Sequence, residues 1–273
     1  MADPQGQAAS GSRCIVIPAR FASTRFPGKP LALLRGAGGI ERPLIEWTWR
    51  TACSVADAGP VFVATDDLRI AEEVARFGGK VLLTPPECAN GTERCAAVLD
   101  QLPADIDVVV NLQGDNPLTP PTVVEALMAR MAADPSIAVT TPAILASGGT
   151  REHLLDEQRS GRVGGTTVVF DREERALYFS KAVLPHGATA NADIPIHLHL
   201  GVYAYRRAAL QTYRAAPPSA AEQAEGLEQL RFLDQGVPVT VVVVPAPDGT
   251  MVELNNPADR AVIESEFARR GME

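Results

Sequence analysis

The sequence predicts an α/β protein built on a doubly wound, mostly parallel, Rossmann-like sheet. Three observations carry that expectation. The first half holds short, unbroken apolar runs: CIVIPA (14–19), VFVAT (61–65) and VVVNL (108–112). Strands covered on both faces read this way, whereas a strand with one wet face alternates. Helical segments lie between the runs with short connections, the pattern of repeated βαβ units. Finally, charged and glycine-containing residues gather where strands end: ARFASTRFPGK after the first, TDD after the second, QGDNP after the third. Ligands of such sheets sit beyond the carboxyl ends of the strands.

Residues 1–12, MADPQGQAASGS, lack the basic and apolar regions of a signal peptide and are expected to form a disordered leader. CIVIPA then starts the sheet. PLIEWTWRTACSV (43–55) places Leu44, Trp47 and Ala52 near helical spacing. LRIAEEVARFG (68–78) is an amphipathic helix stopped by Gly78-Gly79. VLLT (81–84) is a short strand, and GTERCAAVLDQL (91–102) a helix. PPTVVEALMARMAAD (120–134) starts on proline, as helices often do. After about residue 136 the pattern becomes β-rich, through IAVTTPAI, TTVVFD, ALYFSKAVLP and HLHLGVYAYRR, with 146–150 read as a loop. A helix over 220–236, a very apolar strand over 237–247 assigned to the central sheet, and an amphipathic helix close the chain. The expected organisation is a main α/β domain of 13–135 plus 216–273, interrupted by a smaller β-containing lobe at 136–215.

The chain has 273 residues and a net charge of −8. Residues 13–50 nevertheless carry seven cations against Glu41 and Glu46, a local +5. An acidic protein is not a general nucleic-acid binder, and no apolar run reaches the roughly 18 residues of a membrane span. A basic island in an acidic chain suits a small anion. Four cysteines without a C-x-x-C pair do not form a secreted disulfide framework, so a cytoplasmic setting is expected.

The segment Ala19–Pro30 puts Arg20, Arg25 and Lys29 with Ser23, Thr24 and Gly28 directly after a buried strand. Glycine lets backbone approach a ligand, arginine offers forked donors to phosphate oxygens, and lysine a point charge. A polyphosphate site is expected, although the pattern is not that of a Walker loop. Asp115, in Gln113-Gly114-Asp115 at the end of a strand, has the chemistry of a Mg²⁺ ligand, since Mg²⁺ is commonly held by one or two carboxylates plus substrate phosphates.

IPARFASTRFPGKPL resembles the signature of the CMP-Kdo synthetases, the 3-deoxy-manno-octulosonate cytidylyltransferases. The similarity continues through VATDDLRIAEEVARFGGKV, NGTERCAAV, VNLQGDNP, ALYFSKAVLP, HLGVYAYRR and EGLEQLRFL, in the family's order. The resemblance implies a nucleotidyltransferase fold of the GT-A-like kind. It also implies Mg²⁺-dependent transfer of CMP from CTP to a small acidic acceptor, with release of pyrophosphate. Arg20, Arg25, Lys29 and Asp115 would be catalytic. Ala19, Ser23, Thr24, Gly28, Asn90, Gly91, Thr92, Arg94 and Gln113 would join Arg20, Arg25 and Lys29 around the nucleotide. His199, Tyr203, Glu228, Gln229 and Arg231 match acceptor positions. The second metal carboxylate falls on Glu253 when GTMVELNNP is aligned from the left and on Asn255 when aligned on the proline; the charge of Glu253 favours it. The 136–215 lobe resembles the family's dimerisation region and implies a homodimer.

The chain departs from the family at Asn116, where a carboxylate is usual, at Thr167, where lysine is usual, and at His186-Gly187-Ala188-Thr189, where W-D-R-D is common. The nucleotide half is kept and the acceptor half altered. Arginine outnumbers lysine 22 to three, a bias common in GC-rich genomes. A phosphonate such as phosphonoformate is therefore the rival to a Kdo-like acid. A non-catalytic nucleotide-binding homologue and an enzyme using another nucleotide are the further alternatives.

Overall fold

The computed structural model describes residues 12–22, 26–249 and 251–273. Residues 1–11 of the expected leader, together with Ser23, Thr24 and Arg25, lie outside the described residues. Ser12 already belongs to the first strand, where its hydroxyl bonds Asp105.

In chain order, β1 (Ser12–Ala19) is followed by a 3-10 turn at Lys29–Leu31 and the small hairpin β2 (Leu33–Arg35) and β3 (Glu41–Pro43). Next come α1 (Leu44–Cys53), β4 (Val61–Thr65), α2 (Leu68–Arg76), β5 (Lys80–Leu83), α3 (Gly91–Ala97), β6 (Ile106–Leu112), α4 (Pro121–Ala133) and β7 (Val139–Leu145). The remainder comprises α5 (Gly148–Arg159), β8 (Thr167–Phe170), β9 (Ala176–Ser180), β10 (His197–His199), β11 (Val202–Arg206), α6 (Arg207–Ala215), α7 (Ala220–Glu225), α8 (Leu230–Asp234), β12 (Val239–Val243) and α9 (Asp259–Arg270).

β5, β4, β1 and β6 pair in parallel, as the apolar runs predict. In β1, Cys14 and Val16 enter one core while Ile15 and Ile17 enter the other. The first core includes Cys95, Leu210 and Phe232 from α3, α6 and α8; the second includes Ile45, Ile70, Val74 and Val124 from α1, α2 and α4. Both faces of the strand are therefore dry, and alternation vanishes from its sequence.

The sheet does not stop at residue 136. β11 inserts antiparallel between β6 and β7. β10 runs in line with β11 along the same edge of β7, and β8 and β9 continue outward from it. The main sheet is thus a single ten-stranded, mixed one. The change in composition at 136 marks the onset of antiparallel pairing rather than a new sheet.

Three expectations are corrected. The 237–247 strand is not central: among the described strands β12 pairs along its length with β7, its other side meets only an isolated bridge from Thr240 to Arg175, and Val243 is exposed. The 220–236 helix is two helices, because Gly226 adopts a left-handed conformation (φ 62°) that ends α7. The 146–150 loop is instead the start of α5, which opens at Gly148.

Gly114 shows how tightly the strand ends are joined. A Cβ there would lie 2.7 Å from the Pro18 carbonyl oxygen, a backbone atom that cannot step aside. Gly114→Ala is expected to cost about 1–3 kcal/mol, read as a lower urea midpoint with an unchanged m-value.

Candidate active site

β1 and β6 are neighbours and parallel, so Ala19 and Gln113 leave the sheet side by side. A cleft of about 290 Å³ opens there, lined by Pro18, Ala19, Arg20, Lys29, Asn90, Gly91, Arg94, Gln113, Gly114, Asp115, Glu228 and Asn255, among others. Most of the expected nucleotide-side residues that the structure describes meet in this cleft.

The chain after β1 is folded back by the Gly28 N–H, which donates to the Phe21 carbonyl at 3.0 Å. Gly28 needs a left-handed φ of 70°, and a Cβ would touch the Phe21 ring at 3.0 Å. The ring is covered by the Arg69 guanidinium, 3.4 Å from its centroid, and Arg69 pairs with Asp67 at 2.6 Å. This return delivers Lys29 to the cleft, where its Nζ donates to Asp115 Oδ2 at 2.6 Å. Arg20 Nη1 reaches across to the Ala89 carbonyl at 3.2 Å.

The opposite wall is the start of α3. Asn90 caps it, accepting the Glu93 N–H at 2.8 Å. The Gly91 N–H and the Thr92 hydroxyl donate to the two oxygens of Glu228, at 3.1 and 2.9 Å. Thr92 also bonds Tyr205 (2.7 Å), whose hydroxyl accepts from Asn111 (3.3 Å). Burial pushes the Glu228 carboxyl up to about 7, against the stabilising bonds from Thr92 and Gly91. Arg94 is almost wholly buried; it pairs with Asp66 at 2.9 Å and donates to Thr84 at 2.7 Å. Asp66 belongs to the TDD run after the second apolar strand, whereas nothing in the sequence marks Thr84.

The acceptor-side residues divide. Glu228 lines the cleft, whereas His199, Tyr203, Gln229 and Arg231 are buried. The Thr141 hydroxyl donates its proton to the Val202 carbonyl (2.8 Å), so it accepts from His199 Nε2 (2.8 Å). Burial holds the imidazole near 3, so His199 is a neutral group at neutral pH. Tyr203 donates to Gln229 Oε1 at 3.1 Å. Arg231 is placed differently from the expected substrate contact: it lies behind α3 and binds Glu222 and Glu93.

Near the chain end, the Leu254 N–H donates to the Asp115 carbonyl at 3.0 Å and draws residues 251–255 against the end of β6. Asn255, rather than Glu253, lines the cleft; its Nδ2 donates to Glu253 Oε2 at 3.2 Å. Asp259 accepts the Asn255 and Asn256 N–H groups at 2.8 and 2.6 Å and fixes this turn. Among the described residues no cluster of three His, Cys, Asp or Glu side chains could hold a metal alone. A carboxylate with one neighbouring side-chain oxygen fits a hard cation that takes its other ligands from phosphate and water.

Residues 14–240 match the family model described as "Cytidylyltransferase". The chain is 41% identical over 256 residues to the 3-deoxy-manno-octulosonate cytidylyltransferase of Maricaulis maris, covering 94% of this chain and 97% of that one. It is 40% identical over 255 residues to the 8-amino-3,8-dideoxy-manno-octulosonate cytidylyltransferase of Shewanella sediminis, covering 93% and 98%. A solved CMP:2-keto-3-deoxy-manno-octonic acid synthetase complexed with CTP superposes with a TM-score of 0.82 at 35% identity, over 95% of this chain and 99% of that one. A 4-diphosphocytidyl-2C-methyl-D-erythritol synthase from Anaerococcus prevotii shares the fold, with a TM-score of 0.57 at 12% identity over 94% and 99%.

The raised Glu228 pKa has a consequence for stability. Below its ordinary value of 4.5 the carboxyl is protonated in folded and unfolded chains alike. As pH rises from there to about 7 the unfolded chain ionises first, so stability is lost across that window and then levels off. The loss is on the order of 3 kcal/mol. Urea unfolding at a series of pH values should show this component in the parent and not in Glu228→Gln.

Proposed function

The chain belongs to the cytidylyltransferase family, and from that membership we propose that it transfers CMP from CTP to a 3-deoxy-ulosonic acid of the Kdo or 8-amino-Kdo kind, releasing pyrophosphate. The observation that carries the reading is the convergence of Lys29 and Asp115, 2.6 Å apart, in a cleft at the carboxyl ends of β1 and β6. A cation and an anion that share one proton-bridged contact are matched to two incoming partners of opposite sign, a phosphate chain and a metal ion.

In this reading Arg20 and Lys29, with Ser23, Thr24 and Arg25, hold the triphosphate of CTP. Asn90, Gly91, Thr92, Arg94 and Gln113 border the nucleoside. Glu228 faces the acceptor, and the buried His199, Tyr203 and Gln229 support that side. An acceptor hydroxyl oxygen forms a bond to the α-phosphorus and gives up its proton to solvent, the bond to the bridging oxygen breaks, and pyrophosphate carries away the charge. Lys29 neutralises that charge as it develops, which is the main demand of such a transfer. Asp115 would hold Mg²⁺ with the side-chain oxygen of Asn255 or Glu253. Mg²⁺ bound there supplies further neutralisation of phosphate oxygens.

The eight-carbon ulosonates named for the relatives support the acceptor class. The phosphonate alternative rested partly on Thr167 and His186–Thr189. Thr167 bonds the Ala182 carbonyl and Leu184 N–H at 2.7 and 3.0 Å. Residues His186–Thr189 form a 3-10 turn beside carbonyls gripped by Arg151. Both segments are engaged within the β8–β10 region and lend the phosphonate no support. The 136–215 segment also exposes Leu145, Val163, Leu177 and Tyr178, in keeping with the proposed homodimer.

A coupled pyrophosphate assay with CTP and Mg²⁺ is expected to give turnover with Kdo or its 8-amino analogue and none with phosphonoformate. The reverse order overturns the acceptor assignment. Asp115→Asn is expected to lower kcat by about 100-fold or more.

A further inference from the structure

Arg231 is a cation that the transfer does not use, and the Nε–Nη2 edge of its guanidinium is engaged by carboxylates. Nε and Nη2 donate to the two oxygens of Glu222, at 2.7 and 2.6 Å. Nη2 also donates to Glu93 Oε1 at 2.7 Å. Its Cζ lies over the Tyr213 ring, 4.1 Å from the centroid. Its side chain is only 4% exposed.

The bonds continue from there to the cleft. Glu93 Oε2 accepts the Ala89 N–H at 2.7 Å, and the Glu93 N–H donates to Asn90 Oδ1. Asn90 Nδ2 donates to the Tyr213 hydroxyl at 3.3 Å, which in turn donates to Glu222 Oε1 at 3.5 Å. A closed polar ring therefore runs from Arg231 through Glu93, Asn90, Tyr213 and Glu222 back to Arg231. Its front edge, Ala89-Asn90-Gly91, is one rim of the cleft. The Arg231 N–H also donates to the Glu228 carbonyl at 3.3 Å, on the turn whose carboxylate receives Gly91 and Thr92.

We propose that Arg231 is a positioning residue: acting through Glu93 and Glu222, it fixes the Ala89–Gly91 rim in the shape that receives the nucleotide. The proposal rests on the reading of the cleft as the CTP site. Two chemical facts support it. A buried cation facing the buried Glu222 and the partly buried Glu93 contributes little net stability compared with apolar packing, so an arrangement of this kind is better explained by geometry than by stability. Only a planar, forked cation can serve two carboxylates in fixed directions; an ammonium cannot.

The test compares the parent with Arg231→Lys and Glu93→Gln, the latter leaving the Arg231–Glu222 pair intact. Steady-state pyrophosphate release gives kcat and the KM for CTP, and hydrogen exchange of the ligand-free proteins reads the amides of residues 89–92. The expected result is a KM for CTP raised about tenfold with kcat within about twofold of the parent. The rim amides should exchange about tenfold faster while those of β6 keep their protection. Folded variants with parental KM and parental rim exchange overturn the proposal, as does a fall in thermal stability without either change. If Arg231→Lys does not fold, Glu93→Gln decides by the same two readings. A parent that releases no pyrophosphate from CTP overturns the functional reading instead, and the exchange comparison still judges the positioning role.

Discussion

The parallel pairing of β1 with β6 is the constraint on which the site depends. Parallel neighbours end at the same edge of the sheet, so the basic segment after Ala19 and the Gln113-Gly114-Asp115 turn emerge together. Both strands are buried on two faces, which leaves their registers little freedom to slip. Gly114 closes the gap between the strand ends to a distance no side chain tolerates. Lys29 then meets Asp115 across 86 positions of sequence without either belonging to a regular strand.

The electrostatics follow from the same layout. The cations of the basic island have different fates. Arg35 pairs with Glu41, and Arg42 and Arg50 share Glu46, all away from the cleft. Arg20 and Lys29 face into it. Arg94 adds a third cation, balanced by Asp66. The buried Arg94 and the mostly buried Lys29 are thus compensated by carboxylates before an anion arrives, while the exposed Arg20 is held by the neutral Ala89 carbonyl. The acidic balance of the whole chain is compatible with an anionic substrate because the local field at the strand ends is set by these few groups.

Much of this architecture is legible in the sequence, for physical reasons that also mark its limits. Unbroken apolar runs reveal doubly covered strands, and β1, β4 and β6 follow them. Charged residues crowding after those runs reveal the cleft, because only strand ends bring distant loops together. The motifs of the family signature carry the nucleotide side almost intact. The acceptor side was harder. Arg231 has the residue type and motif position of a substrate contact, yet Glu93 lies 138 residues away and claims it; nothing local announces that partner. His199 matches an acceptor position of the family, but its ring is buried and held neutral. Glu253 outranks Asn255 on charge alone, while the bond from Leu254 to Asp115 is what turns Asn255 toward the cleft. Apolar content alone also misplaced β12, since burial under helices and burial at a sheet centre leave the same composition.

The central claim is that the Lys29–Asp115 end of the cleft receives the triphosphate of CTP. Calorimetric titration of CTP and of cytidine into the parent and into Lys29→Met tests it most directly. A lost charge-assisted contact to phosphate should weaken CTP binding by about tenfold or more while leaving cytidine binding unchanged. Equal affinity for CTP in the two proteins, or an equal loss for CTP and cytidine, would contradict the account.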